Sequence, residues 1–386
     1  MSDFETNWRH LISGEERAWW GNPARAGLWA LSGLYAGIVS GYRAGFDLGL
    51  LKPTRLPCPV LGIGNITVGG TGKTTTVRWL VRRLQEWGVH PAVLSYGYRA
   101  GASKKERNAV TVVAGPEGIR APVTLSGDEP QMLARSLPGV PVLIGRKRIY
   151  SGRQAWDEFR ADACVLDDSF QYWRLEKDLE LLLVNATNPF GYGHLLPRGM
   201  LREPLRGLRR AGGVILTHAS AVSADERKRL RGRIEKLKPG IAVAEAVHEP
   251  VRLRDHRTGA PLGIELLRDG RWLALSGLGQ PESFENSLVE LGARAPVPAR
   301  FRDHHAYTAE ELAGAGARVR TEGLTGIVTT EKDAVKIPAE WLESCTCAVL
   351  EVDLRFLSGQ DAIERLLRER IVDRAPGVDV LGSEAG

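Results

Sequence analysis

In this 386-residue chain the run Gly69-Gly70-Thr71-Gly72-Lys73-Thr74 has the residue types and spacing that most directly specify chemistry. Glycines let successive backbone N–H groups turn inward on phosphate oxygens, where a side chain would block the approach. Lys73 can reach the outer phosphates of a nucleoside triphosphate, and the Thr74 hydroxyl can ligate Mg²⁺. The usual pattern has a glycine five positions before the Gly-Lys pair, and Thr67 holds that place. The crowded turns fall on Gly69, Gly70 and Gly72 instead, so the physics of the loop is kept.

Paired acids and histidines supply the other candidates. Asp167-Asp168 closes the apolar run Ala163-Cys-Val-Leu. That places it at the carboxyl end of a strand, where open α/β sheets bind ligands. A carboxylate there can hold Mg²⁺ directly or through water; the plain alternative is a solvated acidic turn. Asp128 and Glu129, in Ser126-Gly-Asp-Glu-Pro130, open a helix, and residue type leaves both N-terminal capping and catalysis open. In Phe301-Arg-Asp-His-His-Ala-Tyr307, His304 and His305 suit a metal site, a hydrogen-bonded loop or an acid–base element. Adjacent residues of an extended chain face opposite ways, which argues against one shared metal. The loop Pro197–Arg206 carries Arg198, Arg202 and Arg206 among apolar residues. It reads either as a phosphate clamp or as a solvated basic loop. Cys345 and Cys347 lie beside Ala348-Val-Leu and read as strand residues, since no Cys or His pair is spaced to complete a metal set. Four scattered cysteines give no disulfide framework and suggest a reducing compartment.

These residues need a scaffold, and the periodicity supplies one. Cys58–Gly64 reads as a buried strand running into the glycine turn, and Thr74–Trp87 has helical spacing with Val77, Leu80, Val81 and Leu84 on one face. Strands follow at Ala92, Val110, Val142, Cys164, Leu181 and Val214, with helices from Asp128 and Asp225. The alternation predicts an α/β fold: a P-loop NTPase-type parallel sheet flanked by helices, with a smaller second α/β domain beginning near Trp272. The expected division is 1–54 helical and membrane-associating, 55–240 P-loop domain, 241–270 connector strands, 271–356 smaller domain with the His304 loop, and 357–386 a C-terminal helix and frayed tail. Apolar residues make up 43% and charged residues 25%, which excludes a mostly disordered chain. A net charge of +6 suits a phosphate-rich ligand or an anionic membrane surface. No aromatic-interleaved basic stripe calls for nucleic acid. No secretory signal shows in the first 25 residues. Residues 26–42 carry no charge but fall short of the roughly 20 residues needed to span a bilayer. Trp19, Trp20, Trp29, Tyr35 and Tyr42, flanked by Arg17, Arg25, Arg43 and Lys52, suit a membrane interface. A helix packed on the domain is the other reading.

Taken together, these motifs resemble the tetraacyldisaccharide 4′-kinase family. The matching stretches are Gly64-Asn-Ile-Thr-Val-Gly-Gly-Thr-Gly-Lys-Thr74, Gly127-Asp-Glu-Pro130, Asp167-Asp-Ser-Phe-Gln171, Arg174-Leu with Asp178-Leu, and the loop Asn188–Leu205. Further on are Gly277-Leu-Gly-Gln-Pro-Glu282, Asp303-His-His305 with Tyr307, and Thr330-Glu-Lys-Asp-Ala-Val-Lys336. They run in order from about residue 55 to about 355, and the family's Thr at position 67 accounts for the altered loop start. The resemblance implies an enzyme on the cytoplasmic face of the bacterial inner membrane that moves the γ-phosphoryl of ATP to the 4′-hydroxyl of a disaccharide lipid, giving lipid IVA. It implies ATP on Thr67 and Gly69–Thr74, and Mg²⁺ near Thr74, Glu129 and Asp168. It also implies a catalytic pair of Asp128 and His304, with acceptor contacts from Asp167, Gln171, Arg202 and Glu203. An anionic membrane surface is the expected partner, with no nucleic acid and no obligate protein partner. Two departures bear on the acceptor side: Tyr96 stands where the family often has Arg, and Tyr172-Trp173 where it tends to have His and Arg. Two rival readings are another P-loop small-molecule kinase and a nucleotide-switched membrane-associated ATPase; the second should show a His-rich tract or paired-Cys site, and neither is present.

Overall fold

The computed structural model describes residues 8, 10–13, 21–97, 109–342 and 345–376. The charged loop expected around Lys104, Lys105 and Arg107, together with Arg17, Trp19, Trp20, Tyr98 and the tail beyond 376, lies outside them. The described chain forms two compact units. The larger draws on Asn7–Ser126, Leu133–His248 and Leu354–Gly386, and the smaller on Gly127–Met132 and Glu249–Asp353.

The larger unit is built on β1 (Val60–Asn65), β2 (Pro91–Ser95), β3 (Thr111–Gly115), β4 (Gly118–Ile119), β5 (Val142–Ile144), β6 (Ala163–Asp167), β7 (Leu179–Asn185), β8 (Gly213–Thr217) and the start of β9 (Ala242–Asp255). Their order is β9-β8-β7-β1-β6-β2-β5-β3-β4. The strands from β9 to β5 are parallel, while β3 pairs antiparallel with β5 and β4 with β3. All six residues of β1 are buried, as expected of a central parallel strand covered on both faces. The helix Lys73–Glu86 buries Val77, Leu80, Val81 and Leu84, the face its spacing predicts. The register Ile63↔Asp167 brings the end of β1, where the glycine loop departs, level with Asp167-Asp168.

The uncharged segment lies within the 27-residue helix Gly21–Asp47. One face docks on the 188–206 loop: Ser32 Oγ donates to Leu195 O at 2.8 Å and Tyr35 Oη to Arg202 O at 2.8 Å. The other face leaves Trp29 66%, Leu34 65% and Ile38 63% exposed. No helix among the described residues is long and apolar enough to cross a membrane.

In the smaller unit β10 (Pro261–Leu262) pairs antiparallel with the end of β9. The stretch 241–270 is thus the long strand β9, a turn near Thr258 into the two-residue β10, and a 3-10 helix over Ile264–Leu267. The remaining strands are β11 (Trp272–Ser276), β12 (Val297–Arg300), β13 (Gly326–Thr330) and the first part of β14 (Cys347–Ser358). They lie in the order β12-β11-β13-β14-β9, with β12, β11, β13 and β14 parallel. Trp272, Leu273, Leu275, Ile327 and Val328 are fully buried at its centre. Cys347 is the first residue of β14 and Cys345 precedes it. Among the described residues no group of three or more His, Cys, Asp and Glu is spaced to hold a metal ion.

Candidate active site

The glycine loop of the larger unit leaves β1 and ends at Gly72, which caps the helix Lys73–Glu86 in a left-handed conformation (φ +74°). Gly69 is also at positive φ (+113°). A Cβ on Gly72 would lie 1.9 Å from Nε2 of His248, so glycine is required here by space as well as by backbone. Burial lowers the His248 pKa to about 4, helped by nearby His218, so a neutral imidazole backs the loop. Thr71 Oγ1 is buried with no hydrogen-bond partner, an orphan polar group in the place a phosphate would occupy.

Asp168, at φ +51°, faces this loop: Lys73 Nζ is 3.9 Å from its Oδ1 and Arg202 Nη1 2.7 Å. Burial alone would raise the Asp168 pKa, but Lys73 and Arg202 outweigh it and hold the carboxyl below its usual value. Arg202 also donates to Asn65 Oδ1, and Asn65 Nδ2 donates to Thr67 O, which ties the altered loop start to the acid. Gln171 Nε2 donates to Asn65 O and to Glu203 Oε1. Glu203, 1% exposed, accepts in turn from Arg210. Asp167, 2% exposed, accepts from Ser95 Oγ through its side chain and from Arg148 Nη2 through its backbone oxygen. Of the four residues expected at the acceptor, Asp167, Gln171 and Glu203 thus direct these bonds inward and brace the strand ends, while Arg202 keeps 25% of its side chain exposed. The oxygens of Thr74 and Asp168 are the hard donors Mg²⁺ prefers beside substrate phosphates.

The smaller unit assembles a second cluster. Asp128 opens the helix Asp128–Ser136, and its Oδ2 lies 3.0 Å from Nδ1 of His304. His304 sits at φ +58°, in the left-handed region, and Lys332 Nζ lies 3.4 Å from its Nε2. An ammonium can only donate, so in the neutral ring Nε2 would face Lys332 as the acceptor and Nδ1 would carry the proton given to Asp128. Lys336 Nζ lies 3.7 Å from Asp128 and 2.9 Å from Asp333. Burial works to raise the Asp128 pKa, but the hydrogen bond from His304 and the Lys336 charge prevail and keep it below the ordinary carboxylate range. His305 turns elsewhere: it bonds Glu311 at 2.9 Å and stacks on Phe301. The two histidines share no metal. Glu129, one residue on from Asp128, is exposed.

Spacing alone did not single out Arg148. Its guanidinium lies over Tyr96 at 5.6 Å and over Tyr172 at 5.1 Å, and Arg146 Nε donates to Tyr96 Oη. Both unusual tyrosines therefore grip a cation beside Asp167. Nor did His248 carry any motif. Lys332 and Lys336 did sit in a recognised stretch, Thr330–Lys336, but with no role attached.

A glycine loop, Lys73 and Asp168 at the carboxyl edge of a parallel sheet, with a separate carboxylate–histidine pair, define a P-loop phosphotransferase. The chain belongs to the tetraacyldisaccharide 4′-kinase family: a family model described as tetraacyldisaccharide-1-P 4′-kinase matches residues 24–372. It is 40% identical over 383 residues to the tetraacyldisaccharide 4′-kinase of Anaeromyxobacter sp. strain Fw109-5, covering 97% of this chain and 100% of that protein. Identity to the kinase of Anaeromyxobacter sp. strain K is 39% over 365 residues, covering 92% and 95%. The crystal structure of the "apo" form of LpxK from Aquifex aeolicus in complex with ATP is similar at a TM-score of 0.73 and 26% identity, over 90% of this chain and 99% of that one.

Proposed function

We propose that this chain transfers the γ-phosphoryl group of ATP to the 4′-hydroxyl of a tetraacyldisaccharide 1-phosphate, giving lipid IVA in lipid A biosynthesis. The observation that carries the reading is the 3.0 Å pair of Asp128 and His304 in a P-loop chain of this family. Asp128, kept ionised by His304 and Lys336, takes the proton of the attacking hydroxyl. His304, with its proton on Nδ1, fixes the carboxylate in that orientation. The glycine loop and Lys73 hold the triphosphate, and Asp168 keeps Lys73 directed. Arg202, with a quarter of its side chain exposed, supports a phosphate contact, while Asp167, Gln171 and Glu203 support the loop around it. Thr74 and Asp168 would hold Mg²⁺, which would neutralise charge on the transferring phosphates. The apolar outer face of the helix Gly21–Asp47, with Trp29, Leu34 and Ile38, supports attachment to the anionic cytoplasmic face of the inner membrane.

Incubation with labelled ATP and the monophosphorylated disaccharide lipid tests the reaction. Phosphate transfer that vanishes in Asp128→Ala while ATP binding survives is the expected result; ATP turnover with no lipid product would favour a nucleotide-switched protein. Co-sedimentation with anionic vesicles, lost in a Trp29→Ser/Leu34→Ser/Ile38→Ser chain, tests the attachment.

A further inference from the structure

The larger unit has an open cleft of about 520 Å³ at the opposite end of its sheet from the glycine loop. Leu179 begins β7 and Gly212 immediately precedes β8, so this is the amino edge. The other end of β7 is Asn185, whose side chain donates to Gly70 O in the phosphate loop. At about 3.3 Å per residue the six steps of β7 separate the cleft from that loop by roughly 20 Å. It is not the nucleotide site.

Its walls are of two kinds. Phe46, Trp173 and Leu366 supply apolar surface, and Phe46 and Trp173 pack edge to face. Lys238 and Arg370 supply charge; Lys238 Nζ donates to the backbone oxygen of Ala211 at 2.5 Å, and neither side chain has a carboxylate partner among the described residues. They lie close enough for the Arg370 charge, added to burial, to lower the pKa of Lys238. Arg210 adds a third cation, bonded to Glu203 through Nη2 but with Nη1 buried and unpartnered. The acids of the cleft are each paired: Asp47 with Arg43 and Glu180 with Lys177 in the cleft wall itself, Glu176 with Arg55 and Asp178 with Arg374 from outside it. What remains uncompensated is therefore cationic, next to an apolar wall. Beyond that wall the chain leaves the helix Gly21–Asp47 through a turn that exposes Leu48 by 74% and Leu50 by 78%. An apolar tail can run from the cleft along this turn.

We infer that this cleft binds one phosphate-headed lipid molecule, its head on Lys238 and Arg370 and its acyl chain against Trp173 and Phe46. The site is separate from the one where phosphoryl transfer is proposed, and its test reads binding alone, so its failure leaves the kinase reading standing.

The test is calorimetric titration of the full chain, saturated with ATP, with dihexanoyl phosphatidic acid below its micelle concentration. Saturable binding is expected. It should weaken at least tenfold with dihexanoyl phosphatidylcholine or with inorganic phosphate, since each lacks half of the recognition. It should weaken as much in Lys238→Gln/Arg370→Gln, with ATP affinity unchanged as the check on folding. A second variant, Leu366→Trp, keeps the cations and fills the cleft, and it should also lose binding. No saturable binding, equal affinity for phosphate or for the zwitterionic choline head, binding untouched by both variants, or displacement by the disaccharide acceptor would each overturn the inference.

Discussion

Nδ1 of His304 lies 3.0 Å from a carboxylate oxygen of Asp128, two residues 176 positions apart in the chain. Lys332 lies on the far side of the ring, 3.4 Å from Nε2, and a proton on Nδ1 lets the histidine serve Asp128 as a hydrogen-bond donor. The proposed base loses its function when the carboxylate becomes an amide. Asp128→Asn should lower kcat by about 10²–10⁴-fold, the usual worth of general base catalysis, while ATP affinity stays within twofold. His304→Ala should lower kcat by less, since the base remains and only its orientation is lost. Steady-state kinetics with the lipid acceptor, alongside equilibrium ATP binding, checks both; equal losses of ATP affinity would remove the assignment.

Lys336 gives the pH dependence its sign. Its ammonium, 7% exposed, lies 3.7 Å from Asp128 and helps keep that carboxyl ionised below its usual pKa. The rate should therefore fall on the acid side, as pH drops through the lowered Asp128 value. Lys336→Met removes a charge that lowers this pKa, so the acidic limb of kcat against pH should move to higher pH. Stability follows the same logic. The contribution of the Asp128 interactions is complete above the unfolded carboxyl pKa of about 3.9 and is lost as pH falls through the lower folded value. An unmoved acidic limb in Lys336→Met would show that another group sets it.

Legibility in the sequence divided along a physical line. The glycine loop, the helix after it and the strand ending at Asp167 are local patterns, fixed by neighbours within a few residues, and each was readable. The face of Gly21–Asp47 that docks, through Ser32 and Tyr35, was not, because its partners Leu195 and Arg202 lie more than 160 residues away. The same holds for Glu203. The family resemblance implied an acceptor contact there, and nothing near it in the sequence signalled that it is buried against Arg210. Tyr96 and Tyr172 looked like losses of cationic side chains until Arg148, on a different element, was found between them. The membership of Gly127–Met132 in the smaller unit has no sequence signal at all.

Glu203 allows a stability test that is independent of turnover. Its carboxylate joins Arg210 at 2.8 Å and Gln171 at 2.9 Å and is 1% exposed. Glu203→Ala leaves the part-buried guanidinium of Arg210 without its counter-charge, which should cost about 2 kcal/mol in urea unfolding. Glu203→Gln keeps the shape and one acceptor and should cost about half as much. If both variants unfold at the wild-type midpoint, the brace is not structural and the acceptor role returns.

Gly72 and His248 offer the sharpest test of the loop itself. A β-carbon on Gly72 meets the His248 ring at 1.9 Å, and φ at this residue is +74°. Gly72→Ala therefore carries two separate penalties: a left-handed alanine, worth about 1–2 kcal/mol, and a steric conflict with a buried imidazole. Only the second can be relieved from outside the loop. His248→Ala alone should leave the loop intact, because the ring backs Gly72 without reaching the phosphates. The double variant Gly72→Ala/His248→Ala should recover part of the ATP affinity lost in Gly72→Ala but stay at least several-fold weaker than wild type, the residue of backbone strain. Measured by ATP titration, full recovery would mean that the clash alone matters; no recovery would mean that the N–H groups of the loop, displaced by the strained residue, no longer converge on the phosphate.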